Sequence, residues 1–176
     1  MSRVLVVYYS RTGATRKVAE ELAAITGWDL EPVIDTRSRG GVIGYLRSAA
    51  DSLFRRPTKL IPPRHNPANY DLVVVGSPVW NGSVSTPIRT WLEERRGDLP
   101  ALAFFATEGS RGAPRAFHQM AALAGGMPIA TLELSSMELR HGSLAPRIAP
   151  LVAAVDSAIG WLQPTEPPHE PSPPAP

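Results

Sequence analysis

Val4-Leu5-Val6-Val7-Tyr8-Tyr9-Ser10-Arg11-Thr12-Gly13-Ala14-Thr15 decides how this chain reads. Val4 to Tyr8 is a short apolar run rich in β-branched residues, the pattern of a strand covered on both faces. Hydroxyls and a glycine then lead straight into a helical pattern from Gly13 to Thr26, with Val18, Leu22 and Ile25 on one stripe. A strand that turns at once into an amphipathic helix is the opening unit of an alternating α/β fold.

The alternation continues outward. Leu30 to Ile34 forms a weaker second strand, and Leu72-Val73-Val74-Val75-Gly76 is the clearest strand in the chain. Thr86-Pro87 supplies an N-cap and a first helical residue, with Ile88, Trp91 and Leu92 facing inward. Leu102 to Ala106 is the fourth strand, and the helix carrying Phe117, Met120 and Leu123 ends at Gly125-Gly126. Ile129 to Leu134 is the fifth strand. The last helix begins near Pro146 and places Ile148, Leu151, Val152, Val155 and Ile159 on one stripe; Trp91 and Trp161 both read as core residues. Five buried strands alternating with helices give an α/β, doubly wound parallel sheet with helices on both faces.

Composition sets the outer limits. The chain has 176 residues, enough for one domain that buries roughly 70% of its unfolded surface without covalent staples. It has no cysteine, which excludes disulfides, thiolate nucleophiles and cysteine-ligated metals. Redox chemistry would need a bound cofactor. The net charge is +2, so no strong nucleic-acid footprint is expected. No apolar run approaches the roughly 20 residues of a membrane span, and a cytoplasmic protein is the default expectation. The four histidines are scattered without metal-ligand spacing, so no metal is expected. Gln163 to Pro176 contains seven prolines and reads as a disordered tail, with a single domain over residues 1–162.

In sheets of this kind ligands bind outside the carboxyl ends of the strands, at the topological switch point. Three loops lie there. The first, Ser10-Arg11-Thr12-Gly13-Ala14-Thr15, offers hydroxyls and free helix amides, a cradle for one phosphate. It is neither a Walker loop nor the G-x-G-x-x-G dinucleotide fingerprint. The second, Ser77-Pro78-Val79-Trp80-Asn81-Gly82 and on to Thr86, offers a tryptophan face and turn chemistry at Asn81-Gly82. Trp80 reads either as a stacking wall or as a plug beneath the loop. The third, Thr107-Glu108-Gly109-Ser110-Arg111-Gly112, has the glycines of a backbone that passes close to a ligand. A planar ring on a singly phosphorylated stem uses all three, which points to FMN rather than FAD or a nicotinamide. With Arg115, the three loops carry a net +2, a surround that favours an anionic reduced flavin and two-electron chemistry.

The first loop resembles the phosphate loop of the flavodoxin-like family. Gly76-Ser77-Pro78-Val79-Trp80-Asn81-Gly82, with Thr86-Pro87 after it, resembles the second flavin loop of the FMN-dependent reductases related to it. The resemblance spans about residues 3–162 and implies strand order 2-1-3-4-5, one non-covalent FMN and a redox function. Flavodoxins themselves bind FMN at such a switch point, between strands one and three. The third loop is the weaker match.

Two departures stand out. Electron-carrying flavodoxins are typically strongly acidic, and this chain is not. Residues 37–59 are unusually basic, with Arg37, Arg39, Arg47, Arg55, Arg56 and Lys59 on a segment whose Val42, Leu46, Ala49 and Leu53 form a helical stripe. That segment reads either as a solvated helix face or as a docking surface for an anionic partner or a nicotinamide phosphate. Three functions follow: an FMN-dependent oxidoreductase passing electrons from a reduced nicotinamide (NADH or NADPH) or a donor protein to a quinone-like acceptor; a flavodoxin-type electron carrier; or a non-redox member of the fold. In the first, the flavin carries the chemistry and no catalytic side chain is assigned.

Overall fold

The computed structural model describes residues 3–36, 58–109 and 111–162. Its parallel sheet is built from β1 (Val4–Tyr8), β2 (Asp29–Pro32), β3 (Leu72–Trp80), β5 (Ala101–Glu108) and β6 (Thr131–Ser135), in the order β2-β1-β3-β5-β6. A two-residue strand, β4 (Ser83–Val84), pairs antiparallel with the end of β3. Leaving β4 aside, this is the expected 2-1-3-4-5 order of a flavodoxin-like fold. The helices are α1 (Ala14–Thr26), α2 (Thr86–Glu94), α3 (Ala113–Ala124), α4 (Ser136–His141) and α5 (Ala145–Leu162).

The alternation within β1 explains the two layers of helix. Val4, Val6 and Tyr8 face Val18 and Leu22 of α1 and the Ile148, Leu151, Val155 and Ile159 stripe of α5. Leu5, Val7 and Tyr9 face Ile88, Trp91 and Leu92 of α2 and Met120 of α3. Each fully buried side chain of this size contributes roughly 1.5–3 kcal/mol. Gly76 on the central strand is where a larger residue could not fit, since a Cβ there would lie 2.0 Å from the Phe105 ring.

Several expectations are corrected. Trp161 is 88% exposed rather than part of the core. It lies two residues past Ile159, and two residues turn a helix by about 200°. Ile25, in the last turn of α1, is 52% exposed. The second strand is shifted to Asp29–Pro32 and the fifth to Thr131–Ser135. The helix α4 was not expected, although Ser135-Ser136-Met137-Glu138 is a capping box: Ser135 Oγ accepts the Glu138 N–H and Glu138 Oε2 accepts the Ser135 N–H.

Both edge strands are short, four residues in β2 and five in β6. β2 ends at Pro32, and its Glu31 carboxylate is buried, accepting the backbone N–H groups of Arg64 and His65. β6 exposes Thr131 and Glu133. Most of the basic segment, residues 37–57, lies outside the described residues, as does the proline-rich tail, residues 163–176.

Candidate functional site

The first loop leaves β1 at Tyr8 and enters α1 through Gly13, whose φ of 94° is left-handed. Ser10 Oγ accepts the Gly13 N–H at 3.1 Å and keeps its own proton to give elsewhere. No side chain caps α1, and its first turn holds no acid. The first-turn amides therefore face outward with the positive end of the helix dipole, an arrangement that suits an anion. Thr12 is exposed beside them. Thr15 is 1% exposed and hydrogen-bonds Thr107 of β5, oxygen to oxygen at 2.8 Å.

The second segment is stiffer than the loop expected from the sequence. β3 does not stop at Gly76 but continues through Ser77, Pro78 and Val79 to Trp80, then turns back at Asn81-Gly82. Both turn residues have positive φ, 51° and 68°, the geometry of a tight two-residue hairpin. Pro78 is tolerated because β1 pairs with β3 only as far as Gly76. Beyond that point β3 pairs with β5, Pro78 opposite Thr107. The Ser77 side chain turns inward: it is fully buried, accepts the Ser85 N–H at 3.1 Å and donates to the Pro78 carbonyl at 2.9 Å. It ties the hairpin to the start of α2 and does not face the crevice.

Trp80 is half-buried between the first and second loops. Tyr9 stands edge-on to its ring, centroids 6.5 Å apart at 88°, and the Arg11 guanidinium carbon lies 5.8 Å from the ring centroid. Trp80 packs in part against the core cluster of Tyr9, Val84 and Ile88.

The third loop meets the second backbone to backbone. A Cβ on Gly112, where φ is 136°, would lie 2.5 Å from the Gly82 Cα. Only glycine allows this approach. Gly109 and Arg111 are exposed, while Glu108 is buried and its Oε2 accepts the Ala113 N–H at 2.9 Å, capping α3. A hydrogen bond that its protonated form can give to Glu108, with burial and the neighbouring charges of Glu108 and Glu138, holds the Glu133 carboxyl above the usual glutamate range. Glu138 lies below it because Ser135 donates to it and Arg147 stands beside it.

Of the expected site residues, the structure brings Ser10 to Thr15, Trp80 to Gly82, and Thr107 with Gly109, Arg111 and Gly112 to the carboxyl edge of the sheet. Ser77 and Glu108 serve the protein interior. Residue 110 lies outside the described residues. Sequence reasoning missed Tyr9, although it stands within the deciding stretch. It also missed Gln119, whose side chain accepts the Val84 N–H at 3.2 Å and donates to the Gly82 carbonyl at 3.5 Å. Nothing in the spacing of Gln119 signals a contact with a hairpin 35 residues upstream. Among the described residues no helix is long and apolar enough to cross a membrane, and no group of three or more His, Asp or Glu could hold a metal.

No protein-family model matches the chain, and no curated protein matches it. Solved structures do. A flavoprotein from Lactobacillus acidophilus NCFM, in complex with FMN, is 25% identical over 80% of this chain and 97% of its own, with a TM-score of 0.62. A protein from Bacteroides eggerthii, provisionally classed as a flavoprotein, is 23% identical over 88% of this chain and 99% of its own, with a TM-score of 0.71. An NADH:FMN oxidoreductase in its apo form is 18% identical over 94% of this chain and 92% of its own, with a TM-score of 0.54.

Proposed function

The chain is flavodoxin-like in fold, and we propose that it binds one FMN non-covalently and works as an NAD(P)H-dependent oxidoreductase with a quinone-like acceptor. The observation that carries this reading is the convergence of an uncapped helix start, a half-buried tryptophan and a glycine-on-glycine contact at one end of the sheet. The FMN named with the Lactobacillus structure and the NADH:FMN activity named for the apo oxidoreductase support the same assignment.

In this reading the α1 amides, Ser10 and Thr12 hold the phosphate. Each charge-assisted bond contributes roughly 1.5–3 kcal/mol. Trp80, the Asn81-Gly82 turn and the backbone at Gly109, Arg111 and Gly112 would hold the ring. Bound FMN would supply the hydride-transfer chemistry between the nicotinamide and the acceptor. The protein positions that ring and sets its electrostatics. Arg11 beside Trp80 and Arg115, whose Cδ lies 3.6 Å from where a Gly82 Cβ would be, place positive charge around it. That favours the reduced, anionic flavin, and solvent and salt moderate the effect.

Anaerobic absorbance tests the reading. NADH or NADPH should bleach the flavin of the purified protein, and an added quinone should restore the colour within the mixing time. FMN that is bound but reduced by neither nicotinamide overturns the reductase and favours the electron carrier. A chain that binds no FMN overturns both.

A further inference from the structure

Thr107 was expected among the direct cofactor contacts, yet its hydroxyl is spent inside the protein. The side chain is 4% exposed and its Oγ1 lies 2.8 Å from Thr15 Oγ1, a bond between residues 92 apart in sequence. The two ends of that bond differ in character. Thr107 is fixed within the sheet, paired with Pro78 of β3 on one side and Leu134 of β6 on the other. Thr15 is the second residue of α1, in the ring of first-turn amides that no side chain caps.

We infer that Thr107 is a positioning residue for the phosphate end of the cofactor site, acting through Thr15. The inference rests on the FMN reading and concerns how that site tells a phosphorylated flavin from an unphosphorylated one. A hydroxyl has one proton and two acceptor lone pairs. If Thr15 donates to Thr107, it has no proton left for an anion. If Thr107 donates to Thr15, the Thr15 proton is free to be given to a phosphate oxygen. An anion at the start of α1 selects the second arrangement, with Thr107 donating to Thr15 and Thr15 to the anion. The sheet thereby fixes the rotamer of a side chain on the helix.

Removing the Thr107 hydroxyl leaves the Thr15 oxygen in a buried place without its donor. A neutral hydrogen bond of this kind corresponds to about a two- to tenfold change in an equilibrium. Thr107→Val keeps the β-branched shape suited to a strand. It should weaken FMN about fivefold while riboflavin, which lacks the phosphate, changes by less than about twofold. Thr107→Ser should restore the preference for FMN. In the double variant with Thr15→Val, Thr107→Val should reduce that preference no further, because the pair acts as one unit.

Fluorescence titration of the apoprotein with FMN and with riboflavin, beside a thermal melt of each variant, decides it. A wild-type chain that binds neither flavin overturns the functional reading and this inference with it. A wild-type chain that prefers FMN, together with a Thr107→Val variant that loses FMN and riboflavin equally, overturns this inference alone. So does a Thr107→Ser variant that melts like wild type and still fails to recover the preference. If Thr107→Val fails to fold, Thr107→Ala removes the same hydroxyl and must lower the FMN-to-riboflavin ratio while Thr107→Ser leaves it as in wild type; an unchanged ratio in Thr107→Ala overturns the inference.

Discussion

The two ends of the candidate site are built by different physics. At the first loop, short-range polar chemistry prevails: Ser10 closes the turn, Thr12 is exposed and the α1 amides have no side-chain cap. At the second and third loops, steric fit prevails: two positive-φ turn residues, a hairpin held by Gln119, and two glycine backbones in contact. A site of this kind separates charge recognition from shape. The first end can gain or lose affinity one hydrogen bond at a time, whereas the second holds or fails as a unit.

The sharpest way to break that contrast is Gly112→Ala. The left-handed φ and the 2.5 Å overlap with Gly82 leave no room for a methyl group. The strain alone costs about 1–3 kcal/mol, so the melting temperature should fall by roughly 5–10 °C and the purified protein should lose most of its flavin. Unchanged flavin content and melting would show that the two loops are not clamped.

Next in size is a pair of substitutions read against each other. Thr12→Ala should weaken FMN about tenfold and riboflavin far less, because a charge-assisted bond is lost only where a phosphate is present. Trp80→Ala should weaken both flavins alike, by about two- to tenfold, and relieve quenching of the bound flavin. Equal losses of FMN and riboflavin in Thr12→Ala, measured by fluorescence titration, would sink the division of labour. Unfolding of Trp80→Ala would make that residue a plug and nothing more.

A smaller effect concerns the carboxyl pair behind the third loop. Glu133 holds its proton more firmly in the folded chain than in the unfolded one, because its protonated carboxyl can donate to Glu108. Its contribution to stability is therefore full below the ordinary glutamate pKa of about 4.3 and is lost as pH rises through the raised folded value. Glu133→Gln, whose amide can donate to Glu108 at every pH, should melt about a degree or two above wild type at pH 8. The advantage should vanish near pH 4, and solvent exposure of Glu133 keeps it small. A gain that does not depend on pH would rule out the shared proton.

The smallest expected effect lies outside both ends of the site. Half of Gln163 to Pro176 is proline, and we propose that residues 1–162 are the whole folded unit. Deleting the tail should leave melting temperature and flavin content unchanged. A fall of several degrees would show that it packs on the domain.

What could be read from the sequence tracks how local the interaction is. The helix stripes come from neighbours in the chain and β1 lies where its apolar run predicts, whereas the strand order followed from the resemblance and not from any local pattern. The hairpin was half legible. Asn81-Gly82 announces a turn, but the apolar run ends at Gly76, and the extension of β3 through Pro78 depends on where its pairing with β1 ends. The inward turn of Ser77 depends on Ser85, reached only once the hairpin has closed. The Thr15 to Thr107 bond and the Gln119 brace join residues that no period or motif connects. Those contacts exist because the sheet order brings separate strand ends together, and that order has to form before they can.

The short, acid-bearing edge strands have a consequence of another kind. A parallel sheet with open borders is a template on which other chains can add strands, in aggregates or by domain swapping. Here β2 stops at Pro32, which has no N–H to offer, and the chain from Arg64 to His65 lies against its Glu31 carboxylate. β6 carries Glu133 on a five-residue border, so a second copy adding there would set like charges side by side. Among the described residues, both margins of the sheet thus work against the addition of a further strand, and the sheet is kept finite by the residues at its two borders.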